Sequence, residues 1–236
     1  MGGATGKRIA HGSKVFSLLS AAITKVSTIL TLADSRLPTG GHVHSGGVEE
    51  AIAQGLVRDV ATVEAFLLRR IRTTGAVAAS IAAAVCTSTV STTDADAECD
   101  ARTPSPAARA ASRAQGRGLL RLAAVSWSGE AWSELARKPH LAVVAGMVGR
   151  VAGLSGHDIA SIQIYTSMTG SAIAAQRLLA LDPSDVAACT LRLASICDEV
   201  TDQVCSGLPG LVDLSDPLLD VLAESHVIRE RPLFVS

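Results

Sequence analysis

The amino-acid sequence predicts an all-α protein, a single-domain bundle of roughly eight to ten helices. Hydrophobic residues make up 48% of the chain but aromatic residues only 3%, so alanine, leucine and valine carry the apolar content. Alanine and leucine favour helix, and small side chains allow helices to pack closely. Apolar residues recur at helical spacing in successive segments, whereas no segment shows the sustained alternation of a half-buried strand.

Charge and composition argue against several classes of protein. The net charge is −1, with 21 basic and 22 acidic residues, which provides no general attraction for nucleic acid or anionic lipid. The five cysteines form no C-x-x-C pair, a pattern typical of reduced, buried thiols in a cytoplasmic protein. The uncharged segment from Thr73 to Thr93 is long enough to cross a membrane, but its many alanines, serines and threonines favour a buried core helix.

The chain divides into three predicted parts. Residues 1–14 are glycine-rich and basic, which predicts a flexible N-terminal leader. An all-helical domain is predicted for residues 15–225, and its first helix shows apolar residues at helical spacing. Residues 226–236 are a predicted C-terminal tail that binds a partner.

A loop of unusual composition follows the first helix. Residues 34–50 contain one proline, four glycines and two histidines, a combination that lets the backbone take special conformations and fixes its direction at the proline. We predict a rigid turn between the first two core helices that presents a binding surface. Its predicted structural residues are Leu37, Pro38, Gly40, Gly41, His42, His44, Ser45 and Glu49.

Two histidines of this loop, His42 and His44, are weak candidates for a metal site. At i, i+2 in an extended loop their side chains can point the same way. Two ligands alone do not hold a transition metal well, so the more ordinary interpretation is that they hydrogen-bond the loop. No tightly bound cofactor and no resident metal is predicted.

The next helices begin at capping residues. Ser45 is the predicted N-cap of the helix after the loop, and Asp59 is the predicted N-cap of the following one. Arg69, Arg70 and Arg72 crowd the last turn of that second helix. Cations suit the dipole at a helix C-terminus, which favours a solvated helix end over a partner surface.

Acidic and basic residues then separate into two segments. Residues 91–106 carry four acidic residues, two prolines and few apolar side chains, which predicts a mobile acidic loop. In the helix that follows, Arg109, Arg113, Arg117 and Arg121 stand at i, i+4 spacing and repel one another unless acids or phosphates neutralise them. The stripe is either a partner surface, with Arg113 and Arg117 as candidates, or it pairs with the acidic segment.

Four glycines are predicted to share one face of a later helix. Gly146, Gly149, Gly153 and Gly156 fall at i, i+3, i+7 and i+10. Each glycine in a helix interior costs up to about 1 kcal/mol relative to alanine, so a compensating close contact is expected. That contact is either with a neighbouring helix or with a second copy of the chain in a dimer.

The C-terminal third contains three further helical segments or signals. Residues 157–180 are apolar nearly all round, which places them centrally, and Asp182-Pro183 and Asp216-Pro217 each open a helix. In the tail, charged residues surround one aromatic residue, a composition suited to docking into a partner's groove. The candidate partner-binding residues there are Arg229, Arg231, Leu233 and Phe234.

Familiar catalytic motifs are missing from the sequence. It contains no G-x-S-x-G, no H-E-x-x-H, no Walker phosphate loop and no Rossmann glycine fingerprint. The prediction is that the protein is not an enzyme.

Four stretches together resemble the urease accessory protein UreF family. The first is the loop, where Leu37-Pro38-Thr39-Gly40 and Gly47-Val48-Glu49 match L-P-x-G followed by G-[LV]-E. The others are residues 113–120, residues 140–146 and the ending at residues 231–236, which is similar to R-L-F-x-S with a proline inserted. The chain departs from the family at His42 and His44, where aromatic residues are usual, and at residues 181–185, where a P-L-G-Q-type stretch is frequent.

The resemblance implies a non-enzymatic and typically dimeric all-α protein. It would assemble with a UreD-type protein, the GTPase UreG and the urease apoprotein, and would couple the GTPase to nickel insertion. The complex would handle the nickel, and the C-terminal tail would order against the UreD-type partner. Two alternatives stay open: a small nickel-binding carrier that uses His42 and His44, and an enzyme of unrecognised type that uses them in a cleft.

Overall fold

The computed structural model describes residues 25–39, 41–130, 132–206, 210–230 and 232–235. The predicted leader, the predicted start of the domain, Gly40 and Arg231 lie outside these residues. Within the described ranges every regular element is helical, which confirms the all-α prediction. Residues 25–32 form helix α1. The other helices are α2 (Val48–Ala53), α3 (Val60–Arg70), α4 (Ala76–Cys86), α5 (Thr92–Ala101), α6 (Pro106–Ser126), α7 (Leu141–Val151), α8 (Gly156–Leu179), α9 (Pro183–Ser206) and α10 (Pro217–Val227).

Helix α8 lies at the centre of the bundle, as the sequence predicts for residues 157–180. Ile164 and Met168, near its middle, pack into an apolar cluster formed with α2, α3, α9 and α10. Its first turns, with Ile159 and Ile162, join a second cluster formed with α4, α6 and α7. Helix α8 therefore connects the two halves of the core and carries side chains that face both.

Helix α4 lies within the uncharged segment of the sequence and is a core helix, as predicted. Most of its residues are buried between α7 and α8. No helix in the described ranges is long and apolar enough to cross a bilayer.

A π-helical turn, Ile71–Gly75, joins α3 to α4 without a loop. The prediction that Arg69 and Arg70 stand at a solvated helix end is therefore wrong, because the helix continues past them. Arg69 instead forms a two-bond ion pair with Asp216, with both nitrogen–oxygen distances 2.8 Å. π-Helical turns are uncommon and are often found at functional sites.

The predicted mobile loop at residues 91–106 is wrong for residues 92–101, which form α5. Ser91 caps this helix by accepting a hydrogen bond from the Asp94 amide at 3.1 Å. Ala95 and Cys99 are its two buried residues, one turn apart. Two of its four acids, Asp96 and Asp100, pair with Arg113 of α6, so tertiary contacts neutralise part of the charge that predicts a loop.

The four glycines do not share one helix face, so that prediction is wrong. Gly146 and Gly149 lie in α7, whereas Gly153 follows α7 and Gly156 begins α8. The expected close contact is present at Gly146, where an added Cβ would stand 2.5 Å from the carbonyl oxygen of Ala82 in α4. Because Gly146 and Gly149 are buried inside the chain, they serve helix packing and not a dimer interface.

Candidate functional site

The glycine-rich loop turns back onto the bundle just before α2. Gly46 and Gly47 have φ angles of 64° and 91°, which favour glycine. The fully buried Ser45 accepts a hydrogen bond at its carbonyl oxygen from the hydroxyl of Ser171 in α8, across 2.9 Å. The N-cap of α2 is Gly47 and not Ser45, whose hydroxyl oxygen accepts from the Glu49 amide at 3.4 Å.

Glu49, in the first turn of α2, holds the C-terminal tail. Its carboxylate accepts a hydrogen bond from the Leu233 amide at 2.7 Å and another from the Phe234 amide at 3.0 Å. The imidazole Nε2 of His226, at the end of α10, lies 2.9 Å from the same carboxylate. We call Glu49, His226 and residues 232–235 the tail anchor.

The Glu49 carboxylate is ionised at neutral pH despite its burial. Only 3% of its side chain is exposed. Burial on its own raises the pKa of Glu49, but hydrogen bonds from the Leu233 amide, from His226 and from the next amide outweigh it and hold the pKa below its ordinary value. An ionised carboxylate only accepts hydrogen bonds, so His226 donates from Nε2. Arg229 adds positive charge nearby, 3.3 Å from Glu50.

Phe234 is buried within its own chain, which differs from the exposed docking residue that the sequence predicts. Its ring lies under the guanidinium of Arg177, 5.9 Å from the ring centroid. The next residue, Val235, donates its amide hydrogen to the carbonyl oxygen of Val43 in the glycine-rich loop, at 2.7 Å. Leu233 and Val235 on either side are 80% and 68% exposed. The tail therefore buries one apolar residue and presents two.

Arg113 connects α5 to α6, one of the two roles that the sequence allows. Its guanidinium lies 2.9 Å from Asp96 and 2.7 Å from Asp100. The same two acids bind His140, whose Nε2 lies 2.9 Å from Asp100 and whose amide donates to Asp96 at 3.0 Å. Arg117, one turn later, is exposed and forms no ion pair with a described residue. Of the two candidate arginines, Arg117 is available to a partner.

Potential metal ligands meet at one place in the described part of the chain: Asp96, Asp100 and His140. A guanidinium already neutralises both carboxylates, and its positive charge opposes a second cation there. His42 is exposed and His44 is partly buried. Burial lowers the pKa of His44, and the charges of His42 and His226 add to this effect. The described residues supply no third ligand beside His42 and His44, so a nickel carrier at these histidines stays a prediction.

The Arg113 bridge leads to a stability prediction. We expect Arg113→Gln to lower the free energy of unfolding by about 1–3 kcal/mol, because the partly buried Asp96 and the exposed Asp100 both lose a charged hydrogen-bond donor. Arg117→Gln is the matched control from the same stripe and should change stability by less than about 0.5 kcal/mol. Urea unfolding followed by circular dichroism measures both. Equal losses in the two variants would contradict the bridge.

Comparison with known proteins decides the family. A family model described as UreF matches residues 57–194. The protein named "Urease accessory protein UreF" from Mycobacterium sp. (strain JLS) is 61% identical over 214 residues, which cover 91% of this chain and 100% of the relative. The chain belongs to the UreF family. UreF proteins of Mycobacterium bovis (strain BCG / Pasteur 1173P2) and Mycobacterium marinum (strain ATCC BAA-535 / M) are 59% and 60% identical over 214 residues, with the same coverage of both chains.

The UreF family model matches the helical core and stops short of the tail anchor. Its matched segment begins after Glu49 and ends before His226. The glycine-rich loop and the C-terminal tail, which carry two of the four resemblances in the sequence, both lie outside the matched residues. In this UreF-family chain those two stretches are hydrogen-bonded to each other across 184 residues.

Sequence reasoning missed His226 and Arg70, although the pattern contains a signal for both. His226 follows the buried Leu219 and Leu222 at i+7 and i+4, which places it on the apolar face of α10. Arg70 stands at i+3 from the buried Leu67 and so also faces inward. A charged or titratable residue on the buried face of a helix is expected to have a specific partner.

Proposed function

We propose that this chain is a urease accessory protein that acts through its surfaces, without catalytic chemistry of its own. In this proposal it works in the cytoplasm, assembled with a UreD-type protein, the GTPase UreG and the urease apoprotein. It couples GTP hydrolysis to the delivery of nickel, which is the cargo of the complex. The observation that carries the proposal is 61% identity along the whole length of a relative named "Urease accessory protein UreF".

Exposed apolar residues beside the tail anchor support a partner surface there. Ile228 is 84% exposed, and Val221 and Val227 on α10 are also exposed. Together with Leu233 and Val235 they form what we call the C-terminal apolar surface, five large apolar residues within residues 221–235. The tail anchor fixes the backbone of Leu233 and Val235, which lowers the entropy lost when a partner binds. We assign this surface to the UreD-type protein.

A homodimer is part of the same proposal. UreF-like proteins are typically dimeric, and this likeness supports a dimer here. Gly146 packs against α4 inside the chain, so this face of α7 is not available for contact with a second copy. The dimer would use another surface. Sedimentation of the purified chain measures its mass in solution and tests this part.

The C-terminal apolar surface should control partner binding without affecting folding. We expect a Leu233→Ser, Val235→Ser double variant to keep its stability within about 0.5 kcal/mol, because both residues are exposed. Co-purification with the UreD-type protein and UreG, and urease activity in cells that lack only this protein, should both fall at least tenfold. Leu191→Ser, at an exposed apolar residue of α9, is the control and should behave as wild type.

Two results would count against the proposal. Full rescue of urease activity by the double variant would remove the C-terminal apolar surface from the mechanism. Failure of the unaltered chain to co-purify with any of the three proposed partners would overturn the accessory function itself. The surface variant is preferred to a truncation, because removing residues 227–236 also removes the buried Phe234 and the donors to Glu49.

A further inference from the structure

A cavity of about 580 Å³ is lined by the glycine-rich loop, the π-helical turn and α8, and also by residues of α6, α7 and α10. A water molecule takes up about 30 Å³ in the liquid, so this space can hold a small hydrated ion. Its wall includes the polar side chains of Arg70, Thr74, Gln163, Thr166, Ser167 and Ser171. Nothing in the proposed assembly function assigns a role to this space.

Arg70 extends into this region with most of its hydrogen-bonding capacity unused. Its Nη1 donates to the carbonyl oxygen of Gly46 at 2.6 Å, and its Nε donates to the carbonyl oxygen of Ser167 at 3.4 Å. A guanidinium has five N–H donors, so three have no partner among the described residues. Burial lowers the pKa of Arg70 to about 10, so its guanidinium is charged at neutral pH. Part of the Arg70 surface stays accessible, because this residue lines the cavity.

No acid of the cavity wall neutralises Arg70. Asp216 is held by the neighbouring Arg69 at 2.8 Å, and Asp220 accepts from the Ser105 amide at 3.2 Å. Asp34, the third acid of the wall, pairs with its own neighbour in the loop. Buried charges in proteins are normally paired or bind an ion. Arg70 is a desolvated cation whose counter-charge the described residues do not supply.

A second unsatisfied polar group faces the same cavity. Gln163 is buried on α8 and lines the cavity, one turn before the residue whose carbonyl receives Arg70. Its carboxamide makes no hydrogen bond with a described residue, and neither the oxygen nor the nitrogen of this group is fully buried. A carboxamide offers two further N–H donors. The neighbouring hydroxyls of Thr166 and Ser167 already donate to carbonyl oxygens of α8.

Arg70 lies close to the backbone at two glycines. An added Cβ at Gly46 would stand 2.9 Å from the guanidinium carbon of Arg70, and one at Gly75 would stand 2.8 Å from the Arg70 carbonyl oxygen. The guanidinium is held in this position by its hydrogen bonds to the carbonyl oxygens of Gly46 and Ser167. A donor that is already positioned costs less entropy when it binds a ligand.

We propose that Arg70 and Gln163 form a binding site for one small oxyanion of the size of carbonate, phosphate or sulfate. Two anion oxygens accept from the free guanidinium N–H groups, because a planar fork of donors matches such a pair. The carboxamide of Gln163 donates to the anion from α8. The site does not depend on the proposed role in urease maturation.

Titration calorimetry of the purified chain tests the proposal with three probes: sodium bicarbonate, sodium phosphate and sodium sulfate. Sodium chloride keeps the ionic strength equal, which removes general screening effects. At least one oxyanion should bind with one-to-one stoichiometry. Arg70→Gln should weaken its affinity at least tenfold, and Gln163→Leu should weaken it several-fold. Arg72→Gln, an exposed arginine of the same turn, is the matched control and should bind as wild type.

A second measurement uses the unaltered chain, so that it does not depend on the folding of a variant. Phenylglyoxal modifies accessible arginines, and peptide mass spectrometry reports the rate at each position. The bound oxyanion should slow modification of Arg70 and leave Arg72 unchanged. Absence of oxyanion binding above chloride, equal affinity in Arg70→Gln and Arg72→Gln, or unprotected Arg70 at saturating anion would each overturn the proposal.

Discussion

Glu49→Gln should release the C-terminal tail and lower the free energy of unfolding by about 2–4 kcal/mol, because hydrogen bonds to a buried charge are among the stronger ones. Three donors now share the carboxylate: the Leu233 amide, the Phe234 amide and His226. A carboxamide has the same shape but directs its NH₂ group at donors, so at least one donor is left without an acceptor. Urea unfolding measures the loss.

Detachment of the tail can be measured separately from stability. Carboxypeptidase removes residues from a free C-terminus, and we expect it to digest Glu49→Gln faster than the unaltered chain. Glu64→Gln is the control, because Glu64 pairs with Arg192 on the surface and surface pairs contribute only about 0–1 kcal/mol. Equal digestion rates in Glu49→Gln and in the unaltered chain would contradict the role of Glu49 in holding the tail.

The pH dependence gives the same prediction a second readout. The pKa of Glu49 is lower in the folded chain than its ordinary value of 4.5. Its stabilising contribution is therefore fully present above pH 4.5 and is lost as the pH falls through the folded-state pKa. The difference in unfolding free energy between the unaltered chain and Glu49→Gln should shrink at acid pH.

Gly118→Ala should separate the glycine-rich loop from α6 and destabilise the chain by about 1–3 kcal/mol, the usual cost of overpacking. An added Cβ would stand 2.2 Å from the carbonyl oxygen of Thr39 and 2.7 Å from its carbonyl carbon. Both are backbone atoms, so no side-chain rotation relieves the clash. The gain in helix propensity, up to about 1 kcal/mol for glycine to alanine, offsets only part of this cost.

Gly170→Ala provides a control with the opposite expected sign. Gly170 lies within α8, and an added Cβ there meets no atom within 4 Å. This variant should gain up to about 1 kcal/mol of stability from helix propensity alone. Thermal unfolding of both variants gives the comparison. A Gly118→Ala variant as stable as the unaltered chain would show that the loop does not need this contact.

The sequence was sufficient to predict features that depend on local chemistry. Asp59 and Asp216 cap α3 and α10 as predicted, because a side-chain acceptor at a helix N-terminus acts within three residues. The all-α class followed from apolar spacing and composition. In the candidate site, Glu49 was found through its motif, but its hydrogen bonds to the tail were not predicted.

The features that the sequence did not predict depend on contacts between distant segments. Residues 92–101 have the composition of a loop, and their helix is completed by Arg113 of α6, which neutralises Asp96 and Asp100. The buried role of Phe234 depends on Glu49, which is 185 residues away. No local pattern contains information on such a pair, so composition alone favoured an exposed tail.

The docking of the tail also determines when, during protein synthesis, the C-terminal apolar surface can form. Glu49 leaves the ribosome well before Leu233, which is added 184 positions later. Domains fold as the chain emerges. The helices can therefore assemble before the Leu233 and Phe234 amides are available to bind the Glu49 carboxylate. A partner that recognises the docked tail therefore distinguishes a chain in which Leu233 and Phe234 have reached Glu49 from a chain in which they have not yet been added.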